Sequence, residues 1–286
     1  MSSTSNHTRL NAMTVDVEDY FQVSAFESTV STDKWDEMPL RVGHNTHRLL
    51  DLFAEKGVKS TFFTLGWVAK RCPDVIKRIV DEGHELASHG LSHRRATTMN
   101  RAQVTEDIRV SKDILEQTGG TAIWGYRAPS FSIDGSNEWI YEVLSELGFI
   151  YSSSTYPVKH DLYGVPDWPR YKYQRAEGIT EIPIPTIIKN NRNIGIGGGG
   201  YFRLFPYWLS KQRIEKYLQS THEPYSFYFH PWEIDSKQPR IAGAPLKSRV
   251  RHYINLSVME KKLIKLLEQY KWGTMAAAYN LPITKE

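Results

Sequence analysis

A single cysteine, Cys72, among 286 residues excludes an intrachain disulfide, so stability must come from packing, and the chain fits a reducing compartment. Long apolar runs are also missing. Stretches such as Phe149 to Tyr151 and Met275 to Ala278 fall far short of the ~20 residues that span a bilayer. The polar start, Met1 to Arg9, holds no apolar core of a secretory signal, which makes the cytoplasm the expected compartment. Lys and Arg outnumber Asp and Glu by 36 to 32, but they are dispersed, and no basic run amounts to a nucleic-acid footprint. Internal repeats, heptads and low-complexity tails are absent. At 40% hydrophobic and 24% charged residues, the composition excludes both a disordered chain and a membrane-embedded one. One large domain over 1–286 is the expectation.

Aromatic residues are what the chain has in surplus. Eight Trp and sixteen Tyr exceed what a core needs, and aromatic faces stack on the flat apolar faces of ligands, sugars among them.

Strand and helix signals alternate along the chain. Leu10 to Val17 reads as a buried strand; Val42, Thr46, Leu49, Leu50 and Phe53 recur at helical spacing, and Gly57 stops that helix before the β-rich Ser60 to Thr64. Pro73 opens a helix that Gly83 closes, and a third strand follows at Glu85 to Ser88. The pattern predicts a helix between Asn100 and Thr118, strands around Ile123 to Tyr126, Phe149 to Ser152 and Ser226 to Phe229, and helices near 138–147, 206–219 and 257–270. Such alternation predicts an α/β fold with a mostly parallel sheet, closed into a barrel. The stretch 156–205 is rich in Pro, Gly, Tyr and Arg and reads as a helix-free, substrate-facing insertion.

Chemistry-bearing residues cluster just past the expected strand ends. His89 and His93 are four residues apart; if a helical turn begins there, both rings share a face and can share a metal. Asp16, Glu18 and Asp19 stand at the end of the first strand, at the same carboxyl edge of the sheet. Two imidazoles and one carboxylate form an open shell for Zn²⁺ or a similar divalent cation. Arg127 can hold a carboxylate without competing for its proton, and His230, with a pKa near neutrality, can protonate a leaving amine.

These residues resemble the polysaccharide deacetylases of the NodB-homology group, carbohydrate esterase family 4. Thr14-Val15-Asp16-Val17-Glu18-Asp19 resembles the family's first motif, His89-Gly90-Leu91-Ser92-His93 its second, Arg127-Ala128-Pro129 its third, and Phe229-His230 its last, in the same order along the chain. Asp167-Trp168 is the nearest match to the fourth. The wording around Val15 to Phe21, Gly198 to Arg203 and Phe229 to Asp235 resembles the branch associated with exopolysaccharide and exosortase gene clusters.

The resemblance implies a distorted (β/α) barrel with the insertion at 156–205 and a C-terminal extension from about 235 to 286. It implies Asp16 as general base, Arg127 as its orienting partner, His230 as general acid and a backbone N–H at Ser130 as oxyanion donor. His89 and His93 would bind the metal, most simply Zn²⁺. The family's metal carboxylate normally follows the base directly, where this chain has Val17, so Glu18 and Asp19 both stand as candidates. Trp232, Tyr201 and Arg203 are expected to line a sugar groove. The implied reaction is metal-dependent hydrolysis of the N-acetyl group of an amino sugar, in exopolysaccharide biosynthesis. The expected partner is an N-acetylated oligo- or polysaccharide, free or lipid-linked. Competing expectations are an amidohydrolase acting on a small non-sugar amide and an inactive carbohydrate-binding relative.

Overall fold

A computed structural model describes residues 9–160 and 163–283. Strands and helices alternate through the first half of the chain. In order they are β1 (Leu10–Val17), α1 (Val42–Lys56), β2 (Thr61–Thr64), α2 (Gly66–Arg71), α3 (Pro73–Asp81), β3 (Glu85–Ser88), α4 (Arg101–Gly119), β4 (Gly125–Tyr126), α5 (Ile140–Glu146) and β5 (Tyr151–Ser152). The second half adds β6 (Tyr173–Gln174), β7 (Thr180–Glu181), β8 (Thr186–Lys189), β9 (Arg192–Gly195), α6 (Gly199–Leu204), α7 (Tyr207–Ser220), β10 (Ser226–Phe229), α8 (Leu246–Tyr253), α9 (Leu256–Gln269), β11 (Lys271–Gly273) and α10 (Met275–Tyr279).

The main sheet runs β10-β1-β2-β3-β4-β5-β7-β6, parallel except for the β6–β7 pair, and curls into an open half-barrel. β1 lies deep in this sheet and all but its first residue are buried, which explains its near-continuous apolar run. Its two faces still differ. Met13, Val15 and Val17 pack in the main core, whereas the side chain of Asp16 turns to the other face, beside Arg127. One edge of β1 is shared, with β11 pairing at Leu10 to Ala12 and β10 at Ala12 to Val15.

The 156–205 stretch departs from the helix-free expectation. Gly199 and Gly200 open α6, and β7 and β6 extend the main sheet while β8 and β9 form a separate hairpin. The glycines are there for close approach: a Cβ on Gly199 would lie 2.3 Å from a Glu233 carboxylate oxygen, and one on Gly198 would lie 2.6 Å from the Tyr228 hydroxyl. Of this stretch, Tyr163 is the one described residue that lines the cleft with the catalytic candidates.

Register decides which residues meet at the carboxyl edge. Val17, Thr64, Ser88, Tyr126 and Ser152 form one row across β1 to β5. The next residues along are therefore neighbours too: Glu18, Leu65, His89, Arg127 and Ser153. On the other side Val15 pairs with Phe229, which sets His230 beside Asp16.

Candidate active site

The Arg127 guanidinium is fully buried and fills the barrel interior beneath Asp16. Nη1 donates to Asp16 Oδ1 at 2.5 Å and to Thr14 Oγ1 at 3.0 Å, while Nε and Nη2 donate to the Ser153 carbonyl and hydroxyl. The Phe63 ring packs 4.0 Å from the guanidinium carbon. A buried carboxylate paired in this way is fixed in position, and its second oxygen is left to face the cleft.

Glu18 reaches the same side because the chain turns after Asp16, with the Glu18 N–H donating to the Asp16 carbonyl at 3.1 Å. Val17 stays in the core and Glu18 returns to the cleft. Glu18, His89 and His93 each offer a ligand atom, and these atoms lie within 4.8 Å of one another. His89 Nδ1 lies 2.8 Å from the Arg127 carbonyl; donation along this line leaves the Nε2 lone pair for the cluster. Burial, reinforced by His93, pushes the His89 pKa down to about 3, so the ring is neutral, as a ligand must be. Glu18 Oε2 lies 2.7 Å from His93 Nε2 in an ion-pair geometry, yet it is a buried oxygen with no well-directed hydrogen bond. A buried carboxylate oxygen left so, between two imidazoles, fits a divalent cation.

The expected helical turn at His89 to His93 does not form. The segment is a loop with Gly90 at φ 77° and His93 at φ 53°, and it brings the rings to a 5.3 Å centroid separation without helical spacing. Asp107 on α4 holds this loop by accepting the Leu91 N–H at 2.8 Å, and Ser111 donates to the Gly90 carbonyl at 2.8 Å.

Asp19 is not brought to the cluster. Its carboxylate accepts the backbone N–H groups of Tyr20, Arg41 and Val42, closing the N-terminus of α1. Burial lifts its pKa to about 6 in spite of these three donors.

His230 begins a short 3-10 turn, Pro231–Ile234, in which Glu233 accepts both the His230 N–H at 3.1 Å and a contact from Nδ1 at 2.9 Å. Nε2 then lies 3.4 Å from Glu18 Oε1 and 4.0 Å from Asp16 Oδ2. Burial would discharge this ring, but Glu18, Glu233 and Asp16 outweigh it and raise the pKa to about 9. A cation on Glu18 would oppose that rise.

Arg203 is buried and turned away from the cleft. Its Nε donates to Glu233 at 2.6 Å and its Nη1 to the carbonyls of His252 and Ile254, so it braces the residue that orients His230. Tyr201 is 38% exposed and stacks on Phe205, outside the cleft. Trp232 does line the cleft, but its faces are covered by His230 and His252, at centroid distances of 5.0 and 4.1 Å. It offers an edge, with Nε1 3.4 Å from Glu18 Oε1, and no open platform. Asp167 and Trp168 lie outside the cleft, Trp168 against the core. Ser130 stands at the rim with φ 55°, followed by Phe131 at φ 50°; two successive left-handed residues aim this turn at the opening.

The cleft measures about 200 Å³, and Asp16, Glu18, His89, His93 and His230 form its floor. Phe131, Tyr163 and Tyr228 supply aromatic surface beside them. Hollows of about 310 and 550 Å³ elsewhere contain none of these groups, so chemistry rather than size locates the site.

Comparison with known proteins points to the family that the sequence motifs resemble. A polysaccharide deacetylase family model matches residues 30–151, and a domain model of unknown function (DUF3473) matches residues 153–280. Over residues 30–151 the chain is thus similar to polysaccharide deacetylases, and its fold is that of the NodB-homology type. A peptidoglycan-N-acetylglucosamine deacetylase from Bacillus cereus is 34% identical over 84 residues, 29% of this chain and 30% of that protein. A chitooligosaccharide deacetylase from Rhizobium leguminosarum bv. trifolii is 33% identical over 72 residues, 25% of this chain and 34% of that protein. The chain thus matches about a third of the length of these curated relatives.

In fold, a Mycobacterium smegmatis protein assigned as a polysaccharide deacetylase matches 100% of this chain and 97% of its own, with a TM-score of 0.64 and 18% identity. A family 4 pseudoenzyme from Bacillus anthracis matches 96% of this chain and 66% of its own, with a TM-score of 0.51 and 14% identity. Since the fold is shared with a pseudoenzyme, the residues must carry the functional argument. The deacetylase match contains His89, His93 and Arg127, whereas Asp16 and Glu18 precede it. His230 and Glu233 lie in the segment of unknown function, which also supplies β6, β7, β10 and β11 of the same sheet.

Proposed function

We propose that this deacetylase domain hydrolyses the N-acetyl group of an amino sugar in an oligo- or polysaccharide, using a divalent cation, Zn²⁺, held by Glu18, His89 and His93. One observation carries the reading: an N₂O ligand set, an Arg-fixed carboxylate and a carboxylate-oriented histidine converge on one small cleft. A cation bound there supplies Lewis-acid polarisation of a carbonyl and makes water a better nucleophile. Asp16, locked by Arg127, takes the proton of the attacking water. The Ser130 N–H faces the developing oxyanion, and such a donor is commonly worth ~3 kcal/mol. His230, held by Glu233, protonates the departing amine, and acetate and a free amino sugar result. The aromatic rim of Phe131, Tyr163 and Tyr228 favours a sugar ring over a small polar amide. Exopolysaccharide biosynthesis is the process to which the motif wording points.

Acetate release from N-acetylated oligosaccharides, with and without chelator, tests the reading directly. Turnover that is lost with chelator and restored by Zn²⁺ is expected, while Asp16→Asn should bind Zn²⁺ normally and release no acetate. Absence of release from every acetylated glycan, with ring-opening hydrolysis of a small cyclic amide, would assign the cleft to a different amidohydrolase. Zn²⁺ binding without any turnover would make the chain a binding relative.

A further inference from the structure

Among the described residues, helix α8 packs inward through His252, its one buried residue. The His252 ring lies 4.7 Å from that of Phe26, and Tyr253, the last residue of the helix, lies 6.0 Å from it. The outward face leaves Leu246 73% and Val250 53% exposed, one helical turn apart and on the same side. Lys247, Arg249 and Arg251 are exposed around them. Over residues 236–259 the chain carries five cations, Lys237, Arg240, Lys247, Arg249 and Arg251, and no Asp or Glu. A second exposed apolar group adjoins it, because Arg203 on α6 bonds the carbonyls of His252 and Ile254 at the end of α8. There Leu204 is 48% and Trp208 66% exposed. Scattered exposed apolar residues are ordinary, but large aliphatics set among cations of one sign are not.

We infer that the α8 face, with the adjoining Leu204–Trp208 corner, docks on an anionic phospholipid surface. The charge has the sign that an anionic leaflet attracts, and each Lys or Arg near such a surface strengthens binding roughly fivefold. Leu246, Val250 and Trp208 are of the types that enter the headgroup and acyl boundary. The aliphatic groups decide between a bilayer and an acidic glycan, which would use the cations and gain little from Leu246 or Val250. Arg251 and His252 also line the catalytic cleft, so a chain docked in this way presents that cleft at the membrane. The inference stands apart from the deacetylase reading, since binding is read without turnover.

Cosedimentation of the 286-residue chain with sonicated vesicles, phosphatidylcholine alone or with a third phosphatidylglycerol, provides the test. Binding to the anionic vesicles and little to the neutral ones is expected. Lys247→Glu/Arg249→Glu should abolish it, and Leu246→Ser/Val250→Ser should weaken it about tenfold or more. Circular dichroism should show both variants folded, so that either loss is a loss of binding. Equal binding to neutral vesicles, or none to anionic ones, would overturn the inference. So would full retention by Leu246→Ser/Val250→Ser, which together with capture on an acidic polysaccharide would give the face to a glycan. A concentration-dependent dimer lost in Leu246→Ser/Val250→Ser would instead assign it to a second copy of the chain.

Discussion

Glu18 and Asp19 are adjacent carboxylates with opposite employment, and the two should separate cleanly in experiment. Glu18 is surrounded by imidazoles; Asp19 accepts three backbone N–H groups, two of them at the start of α1. Glu18→Gln should lower Zn²⁺ affinity by orders of magnitude while leaving the melting temperature of the metal-free chain nearly unchanged. Asp19→Ala should do the reverse, retaining Zn²⁺ and losing about 2 kcal/mol of stability, the upper range for a helix cap. Titration calorimetry and thermal melts read the two effects separately. Glu233 permits a second test. Its charge helps to raise the His230 pKa, so Glu233→Gln should lower it. Because a general acid must be protonated, the alkaline limb of kcat against pH should then move to lower pH as kcat falls. An unmoved limb would place the titrating acid elsewhere.

At the level of elements, the loop between β3 and α4 shapes the candidate metal site. Gly90 sits at φ 77°, and a Cβ there would lie 2.8 Å from Asp107 Oδ2, the oxygen that accepts the Leu91 N–H. Gly90→Ala should therefore cost about 1–2 kcal/mol for the left-handed backbone and also displace the His93 end of the loop. A lower melting temperature with weaker Zn²⁺ binding is expected, and a lower melting temperature with unchanged Zn²⁺ affinity would show that the loop does not set the cluster. Strand ends of this kind are where the sequence was most legible. Apolar runs with Gly or Pro near their ends located β3, β4 and β10, the acidic Glu18-Asp19 marked the end of β1, and Glu18, His89, Arg127 and His230 follow from being next in line at a shared edge. What could not be read depends on contacts distant in sequence. Asp19 became a cap because α1 starts beside it, and Arg203 turned inward because the glycines before it let α6 settle against Glu233. The role of Glu233 did leave a local trace: Pro after His230 and an acid three residues on is the pattern of a helical N-terminus.

Stability of the whole molecule should carry a pH signature from the far end of the barrel. His84 is buried between Phe53 and Phe62, its Nδ1 accepts the Ser60 N–H, and burial pushes its pKa down to about 4 from 6.5. Above pH 6.5 the ring is neutral in both folded and unfolded chains and has no effect. As pH falls from 6.5 towards 4, the unfolded chain takes up the proton first, and stability declines by about 2 kcal/mol at pH 5. His84→Asn keeps an acceptor for Ser60 and removes the titration. Its urea midpoint should fall less than that of the parent chain between pH 7 and pH 5, and parallel declines would show that other groups dominate.

The divided edge of β1 has a consequence for synthesis. Asp16, Glu18, His89, His93 and Arg127 are all translated by residue 127, and β1 to β4 can pair as soon as they emerge. The strand that delivers His230 comes about a hundred residues later, and it must take its place beside β1 together with β11, which pairs at Leu10. Until then, one edge of this buried strand stays open, which is the condition under which nascent chains aggregate. The growing polypeptide thus possesses the candidate metal ligands and the proposed base long before the proposed acid, and the full set assembles only as the sheet is sealed.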